Sequence, residues 1–348
     1  MSIRARVLAA RIEERFQPLS SEPLWTEYLY FFAMDEASQR AVSLHVGRCV
    51  DDLDRWRASV VAYLPDDEIA IAMVEGRQTS DRRLELAGLV VEIVEDARLW
   101  RVAFTGTADK VHRRDNMQGP HRGGTPVPLM FDLEWQGVIP LWDLRSSVGD
   151  ADSYSHMHHQ QIGRARGRFQ CDAPTLAFSG MCVRDHSCGP RDYALVEGDF
   201  WISALFPSGR AVMAQVVQLQ NSVTNAAYVA SSRSDMLQLG HVTIHPAVPG
   251  ASAMPGSFPA DPMDDPRAGN MDVAINVGGE ELRMTGELLH SAALTFYPPA
   301  TEEPGTDFSA VGALQWTESL LRIRCGDEIG FGVRERIAPM ASLARPRR

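Results

Sequence analysis

Apolar residues recur at every second position through most of this chain, and Gly or Pro interrupts the alternation at short intervals, the pattern of antiparallel β structure. Val42, Leu44 and Val46 alternate within 41–48, and runs at 24–32, 57–64, 68–74, 89–95 and 100–107 follow at the roughly 8–12-residue spacing of sandwiches and barrels. Further strands are predicted over 129–135, 161–169, 175–184, 200–206, 211–220, 226–230, 236–244, 271–277, 281–290, 312–324 and 328–337. One segment differs. Ile3, Val7, Leu8, Ile12 and Phe16 recur at three- and four-residue steps, which predicts a short amphipathic N-terminal helix. Two stretches, 109–128 and 245–270, break the rhythm and read as long surface loops, the second rich in proline.

About sixteen strands are more than one strongly twisted sheet carries without splitting. The expectation is an all-β protein with an N-terminal helix over 1–20, a first β domain over 21–170 and a second over 171–340.

Composition narrows the function classes. The 348 residues are 45% hydrophobic, enough for a folded core. Lys and Arg number 34 against 45 Asp and Glu, a formal charge of −11 with no basic cluster beyond the C-terminal arginines, so nucleic acid is not an expected partner. No apolar run approaches the roughly 20 residues of a membrane helix, and no signal-type apolar region follows the charged N-terminus, so neither membrane insertion nor secretion is expected. Five scattered cysteines without a C-x-x-C pair point to reduced thiols and a cytoplasmic protein. The sequence lacks G-x-S-x-G, Walker, G-x-G-x-x-G and H-E-x-x-H patterns, so no cofactor is expected. Oligomeric state is open, a homodimer included.

The chemistry-bearing side chains concentrate between Tyr154 and Tyr193. On an extended backbone Tyr154, His156, His158 and Gln160 share one face. Two histidines at i and i+2 suit a metal ion, yet no Asp or Glu between His156 and Gly163 completes the set, and hydrogen-bonded imidazoles at a strand end fit the same pattern. In the second cluster Arg184 and His186 share a face with Cys182, Asp185 points the other way, and Gly189-Pro190 reads as a sharp turn. These polar groups need partners to offset desolvation. Either they form a structural corner network, or His186 is a general acid/base oriented by a carboxylate, with Arg184 and Arg191 as electrostatic stabilisers. A thiol-nucleophile role for Cys182 or Cys188 lacks the helix N-terminus that would activate it. Trp25 and Tyr28 crowd the first strand around Glu27, and Trp201 flanks the polar clusters; these aromatics are either core or the lining of a site for an apolar molecule.

The run Arg184-Asp185-His186-Ser187-Cys188-Gly189-Pro190-Arg191-Asp192-Tyr193 resembles the R-D-H-S-W-G-P-R-D-W signature of a large, mostly uncharacterised bacterial family. His158-His159-Gln160-Gln161-Ile162-Gly163-Arg164 resembles its H-Y-E-Q-x-G-R, Leu24-Trp25-Thr26-Glu27 its early L-W-N-E strand, and Trp100-Arg101-Val102 with Thr105-Gly106 its W-R-V-x-x-x-G. That family is distantly similar to the carotenoid 1,2-hydratase and AttH-like proteins. The resemblance implies two lipocalin-like β units packed together, and cofactor-independent hydration, isomerisation or cyclisation of isoprenoid or polyketide substrates. Two departures from the pattern matter: Cys188 and Tyr193 replace tryptophans, and Gln160 replaces a glutamate. An amide is no general base, so proton handling would pass to His158, Asp185 or His186.

The sequence thus leads to a cytoplasmic enzyme moving protons on a hydrophobic, isoprenoid or polycyclic small molecule. The catalytic candidates are His186 as acid/base, Asp185 as its orienter or partner, His158, and Glu27 as an outlying acid. Trp25, Tyr28, Tyr154, His156, Gln160, Arg184, Arg191 and Trp201 are the substrate-binding candidates, with no metal ligand assigned. The alternatives are a lipid- or terpenoid-binding protein without chemistry, and a metalloenzyme using His156 and His158.

Overall fold

A computed structural model describes residues 12–145, 155–234, 236–245, 271–299 and 301–343. These residues divide into two compact units: 12–112 with 122–191, and 113–121 with 192–343.

The first unit contains β1 (Trp25–Asp35), β2 (Arg40–Cys49), β3 (Asp52–Leu64), β4 (Glu68–Ser80), β5 (Arg83–Leu86), β6 (Leu89–Glu95), β7 (Leu99–His112), β8 (Thr125–Gly137), β9 (Trp142–Asp143), β10 (Met157–Cys171) and β11 (Leu176–Pro190). The sheet runs β11-β1-β2-β3-β4-β5-β6-β7-β8-β10, and β10 pairs with β11, so ten antiparallel strands close into a barrel with β9 attached to β10. Closure removes the unpaired edges that an open sheet would present. The short hairpins follow from turn chemistry. Asp66 and Asp67, in the three-residue connection between β3 and β4, both adopt positive φ, which Asp tolerates better than most residues. From Leu29 to Ala33 every second residue of β1 faces the barrel core and is apolar: Leu29, Phe31 and Ala33 share that core with Trp100, Phe131 and Trp135. Phe31 and Trp135 pack edge to face with ring centres 5.7 Å apart.

The second unit contains α1 (Arg113–Gln118), β12 (Val196–Leu205), β13 (Arg210–Leu219), β14 (Ser222–Ser231), β15 (Leu237–His245), β16 (Met271–Val277), β17 (Glu280–Tyr297), β18 (Thr301–Pro304), β19 (Leu314–Cys325), β20 (Glu328–Pro339) and α2 (Met340–Leu343). Its sheet runs β16-β15-β14-β13-β12-β20-β19-β17-β18, and β16 also pairs with β17, closing a ring of eight strands. Phe200, Ile202, Val212, Ile275, Met284 and Leu321 fill this second core.

The all-β expectation therefore matches the structure, with four differences. Ile12–Phe16 carries no helical structure; the remainder of the predicted helix lies outside the described residues. Phe16 is buried all the same, because it packs against Trp56 and Trp100. The 175–184 strand continues to Pro190, since β11 pairs with both β1 and β10. For the same reason the unit boundary falls after Arg191 rather than at 170. The 109–128 loop is instead the end of β7, helix α1 and the start of β8. Asn116 of α1 receives a hydrogen bond from the Ala293 N–H (2.7 Å) and donates to its C=O (3.0 Å), so a side-chain amide extends the ladder of β17. Most of 245–270 lies outside the described residues. Among the described residues no helix is long and apolar enough to cross a membrane.

Candidate functional site

The two polar clusters meet because β10 and β11 are paired neighbours. Register sets Gln161 opposite Arg184 and His159 opposite His186, then Gln160 opposite Asp185 and His158 opposite Ser187. Alternation sends the first two pairs into the barrel and the other two onto its outer face. The signature is thus divided between two networks on opposite faces of one sheet.

The inner network is a set of compensated buried charges. Arg184 donates to Glu14 through Nη1 (2.7 Å) and Nη2 (3.1 Å) and to Gln161 Oε1 through Nε (3.0 Å). Glu14 also accepts from the Ala97 N–H (2.6 Å) and Trp100 Nε1 (3.1 Å). Burial pushes the Glu14 carboxyl upward, but Arg184 and these donors more than reverse it, leaving it below its ordinary value. Beside it Glu27, fully buried, lies 2.8 Å from His186 Nε2, accepts from Arg48 Nε (3.0 Å) and receives the Gln17 N–H (2.8 Å). Arg48 spends its remaining donors on Leu53 O, Gln17 O and Gln78 Oε1, and its guanidinium lies 4.5 Å from the Trp56 ring centre. Such a network fixes the N-terminal segment and the strands to one another. His159, on the same inner face, is pushed down to about 4, chiefly by burial and then by His186.

The outer network is smaller and incomplete. His158 Nε2 lies 2.5 Å from Asp185 Oδ2, and Ser187 Oγ donates to Asp185 Oδ1 at 3.1 Å. Burial raises the Asp185 carboxyl, while His158, Arg191 and the Gln160 amide lower it by more, so it is held below the usual carboxylate range. A carboxylate accepts and cannot donate, which turns the Gln160 Nε2–H group toward Asp185 and explains the 3.0 Å approach of Gln160 Nε2 to His158 Nε2. Two atoms of this cluster, His158 Nδ1 and Gln160 Oε1, are buried with no hydrogen-bond partner. An orphaned buried polar atom costs about 1–3 kcal/mol, and here two such atoms lie on side chains two residues apart on one strand face. With Asp185 accepting at Nε2, His158 keeps that proton and presents Nδ1 as the nitrogen that gives or takes one.

The surroundings are aromatic. Tyr30 lies opposite Asp185 in the register and Tyr28 opposite Ser187. Tyr28, Tyr30 and Phe32 occupy the outer face of β1 and all are buried. The Tyr28 ring fits against Gly47, where a Cβ would come within 2.6 Å of it, and the Arg191 guanidinium lies 5.6 Å from its centre.

Placement revises the sequence expectations. Asp185 does not orient His186; they are neighbours on one strand and face opposite ways, so each takes a different partner. Glu27 is the partner of His186 rather than an outlying acid. Arg184 belongs to the inner network with Glu14. His156 precedes β10, so strand alternation does not bind it to His158; it is 52% exposed and lies 3.4 Å from Glu22, while Nε2 of His158 is engaged by Asp185. The paired-ligand geometry expected for a metal is therefore not formed. Trp25 is buried with Arg48 5.8 Å from its ring centre. Trp201 is buried on β12 of the second unit. Tyr154 lies outside the described residues. Burial pushes the Cys188 thiol up to about 11 and Cys182 further, the reverse of an activated thiolate.

Sequence reasoning missed Glu14, whose isolated position in a helix-like pattern gave no signal. It also missed Glu318 and Glu335 of the second unit, buried and directly opposite across β19 and β20, with carboxylate oxygens within 4.8 Å.

The fold is shared with proteins of low sequence identity. A putative AttH from Nitrosomonas europaea is 13% identical, with a TM-score of 0.60 over 93% of this chain and 98% of that one. CghA is 12% identical, with TM-scores of 0.53 alone and 0.52 in its complex with Sch210972, each over 97% of both chains. No curated protein matches the sequence. The model of a family described as a domain of unknown function, DUF7064, matches residues 10–336, and with nearly the whole chain covered the protein belongs to that family.

Proposed function

We propose that this protein is an enzyme that transfers a proton on a hydrophobic small molecule, with Nδ1 of His158 as the acid/base group and Asp185 as its orienting carboxylate. One observation carries the reading: a buried imidazole fixed by a carboxylate at 2.5 Å whose other nitrogen has no partner. Asp185 sets the tautomer and orientation of the ring, leaving Nδ1 for proton exchange with a substrate. Tyr28, Tyr30 and Phe32 supply an apolar wall beside it. The substrate class is isoprenoid, terpenoid or polycyclic, and the reaction is hydration, dehydration, double-bond isomerisation or cyclisation. Likeness to AttH-like proteins and to CghA supports the scaffold for this reading. The five cysteines, all buried and free, support a reducing, cytoplasmic location.

The test is turnover of an isoprenoid and polyketide panel, followed by mass spectrometry, for the wild type and for His158→Gln and Asp185→Asn. Loss of about 10²–10⁴ in rate is expected for a displaced acid/base. Full activity in folded His158→Gln protein would remove His158 from the chemistry. Ligands recovered unchanged from every variant and the wild type would favour a binding protein.

A further inference from the structure

We infer that Gln160 is a specificity-determining residue that selects hydrophobic ligands bearing a neutral hydroxyl group, an alcohol, enol or phenol, at the His158 site. This rests on the proposed function only in taking that face of β10 and β11 as the ligand site. Its test reads binding and needs no turnover.

The argument starts from the orientation of one amide. The Gln160 side chain is 2% exposed, and its Nε2 is drawn to Asp185, which can only accept. The amide cannot flip without setting a carbonyl oxygen against a carboxylate. Oε1 is therefore fixed as a pure acceptor facing away from Asp185, and it has no partner. A ligand that closes this site with hydrocarbon leaves Oε1 dry and unbonded. A ligand with a hydrogen-bond donor there satisfies it.

Charge then decides which donor. Asp185 is already served by His158, Gln160 and Ser187, and the Arg191 guanidinium also acts on it. An ammonium brought there would add a second cation beside Arg191. A neutral O–H meets no such repulsion. It also keeps oxygen lone pairs that can accept a further hydrogen bond. Sites built to hydrogen-bond a substrate hydroxyl reject the analogue lacking it, because the protein's own polar atom is then left unpaired.

The full-length protein is titrated by tryptophan fluorescence and calorimetry with matched pairs of alcohol and hydrocarbon: α-terpineol against limonene, and geraniol and farnesol against their deoxy hydrocarbons. The wild type should bind at least one alcohol about tenfold or more tighter than its hydrocarbon. Gln160→Met, which keeps the length and removes the acceptor, should bring the two affinities within about twofold, and His158→Gln should keep a preference through Gln160. Failure of every alcohol to bind more tightly than its hydrocarbon, failure to bind at all included, overturns the inference. So does a preference that survives in folded Gln160→Met protein. The wild-type comparison decides alone should that variant not fold. Selectivity without turnover would sink the proposed function and leave this inference standing; turnover without selectivity would do the reverse.

Discussion

Asp185 and His186 are adjacent in sequence yet belong to different networks: Asp185 lies 2.5 Å from His158 on the outer face of the barrel, and His186 lies 2.8 Å from Glu27 in its interior. One strand therefore carries a candidate for chemistry and a support for the fold at consecutive positions. Mutagenesis can separate them. Asp185→Asn should lower turnover by about 10²–10⁴ by presenting the wrong tautomer of His158, with a melting temperature close to wild type. His186→Gln should behave oppositely, lowering stability more than rate, because it disturbs the buried Glu27 and Arg48 contacts. Thermal unfolding and initial rates on the same preparations check both.

Removing Glu14 strands a buried guanidinium. Glu14→Ala should cost about 3–5 kcal/mol, since the Arg184 charge is left uncompensated. Urea unfolding of the two proteins measures it. A double replacement, Glu14→Ala with Arg184→Met, should recover part of the loss.

The pH dependence of stability has two separate limbs. His159 is depressed in the folded state to about 4 from its ordinary 6.5, so the unfolded chain binds its proton first and stability falls as pH drops from about 6.5 toward 4. Glu14 and Asp185 are also depressed, and their contributions are present above the ordinary carboxylate range and are lost below it. Urea midpoints between pH 7 and pH 3 should show both limbs. His159→Asn should remove the upper one and spare the lower.

Asn116 substitutes for a strand at Ala293. Asn116→Ala should destabilise the second unit by about 1–3 kcal/mol, because a buried N–H and a C=O lose a shared partner. Hydrogen exchange of the Ala293 amide should be faster in the variant than in the wild type. Asn116→Asp keeps an acceptor for the Ala293 N–H but no donor for its C=O, so it should recover the protection of that amide and only part of the stability.

Much of the architecture was legible from period-two alternation, and so was the opposite facing of Asp185 and His186. Partnership was not. Which residue of β10 stands opposite Asp185 depends on register, and shifting β10 by one position would have exchanged Gln160 for Gln161 and His158 for His159. Glu14 was invisible for a different reason: it meets Arg184 across 170 positions, from a segment whose three- and four-residue apolar spacing imitates a helix. Gly189-Pro190 misled because proline usually ends a strand. Here Pro190 pairs only with Trp25 of β1, beyond the last β10 partner at Cys188, so its missing N–H breaks no ladder on that side.

The segment carrying α1 has a consequence for how the polypeptide can be divided. Residues 113–121 are encoded between two strands of the first barrel, yet their backbone completes the second: Thr306 N–H bonds to Gly119 O, and His121 N–H to Pro304 O. A C-terminal fragment beginning at Asp192 would lack these partners and expose the β17 edge at Ala293. An N-terminal fragment ending at Arg191 would carry a loop made for absent strands. No single cut of the polypeptide therefore yields both units with all of these contacts.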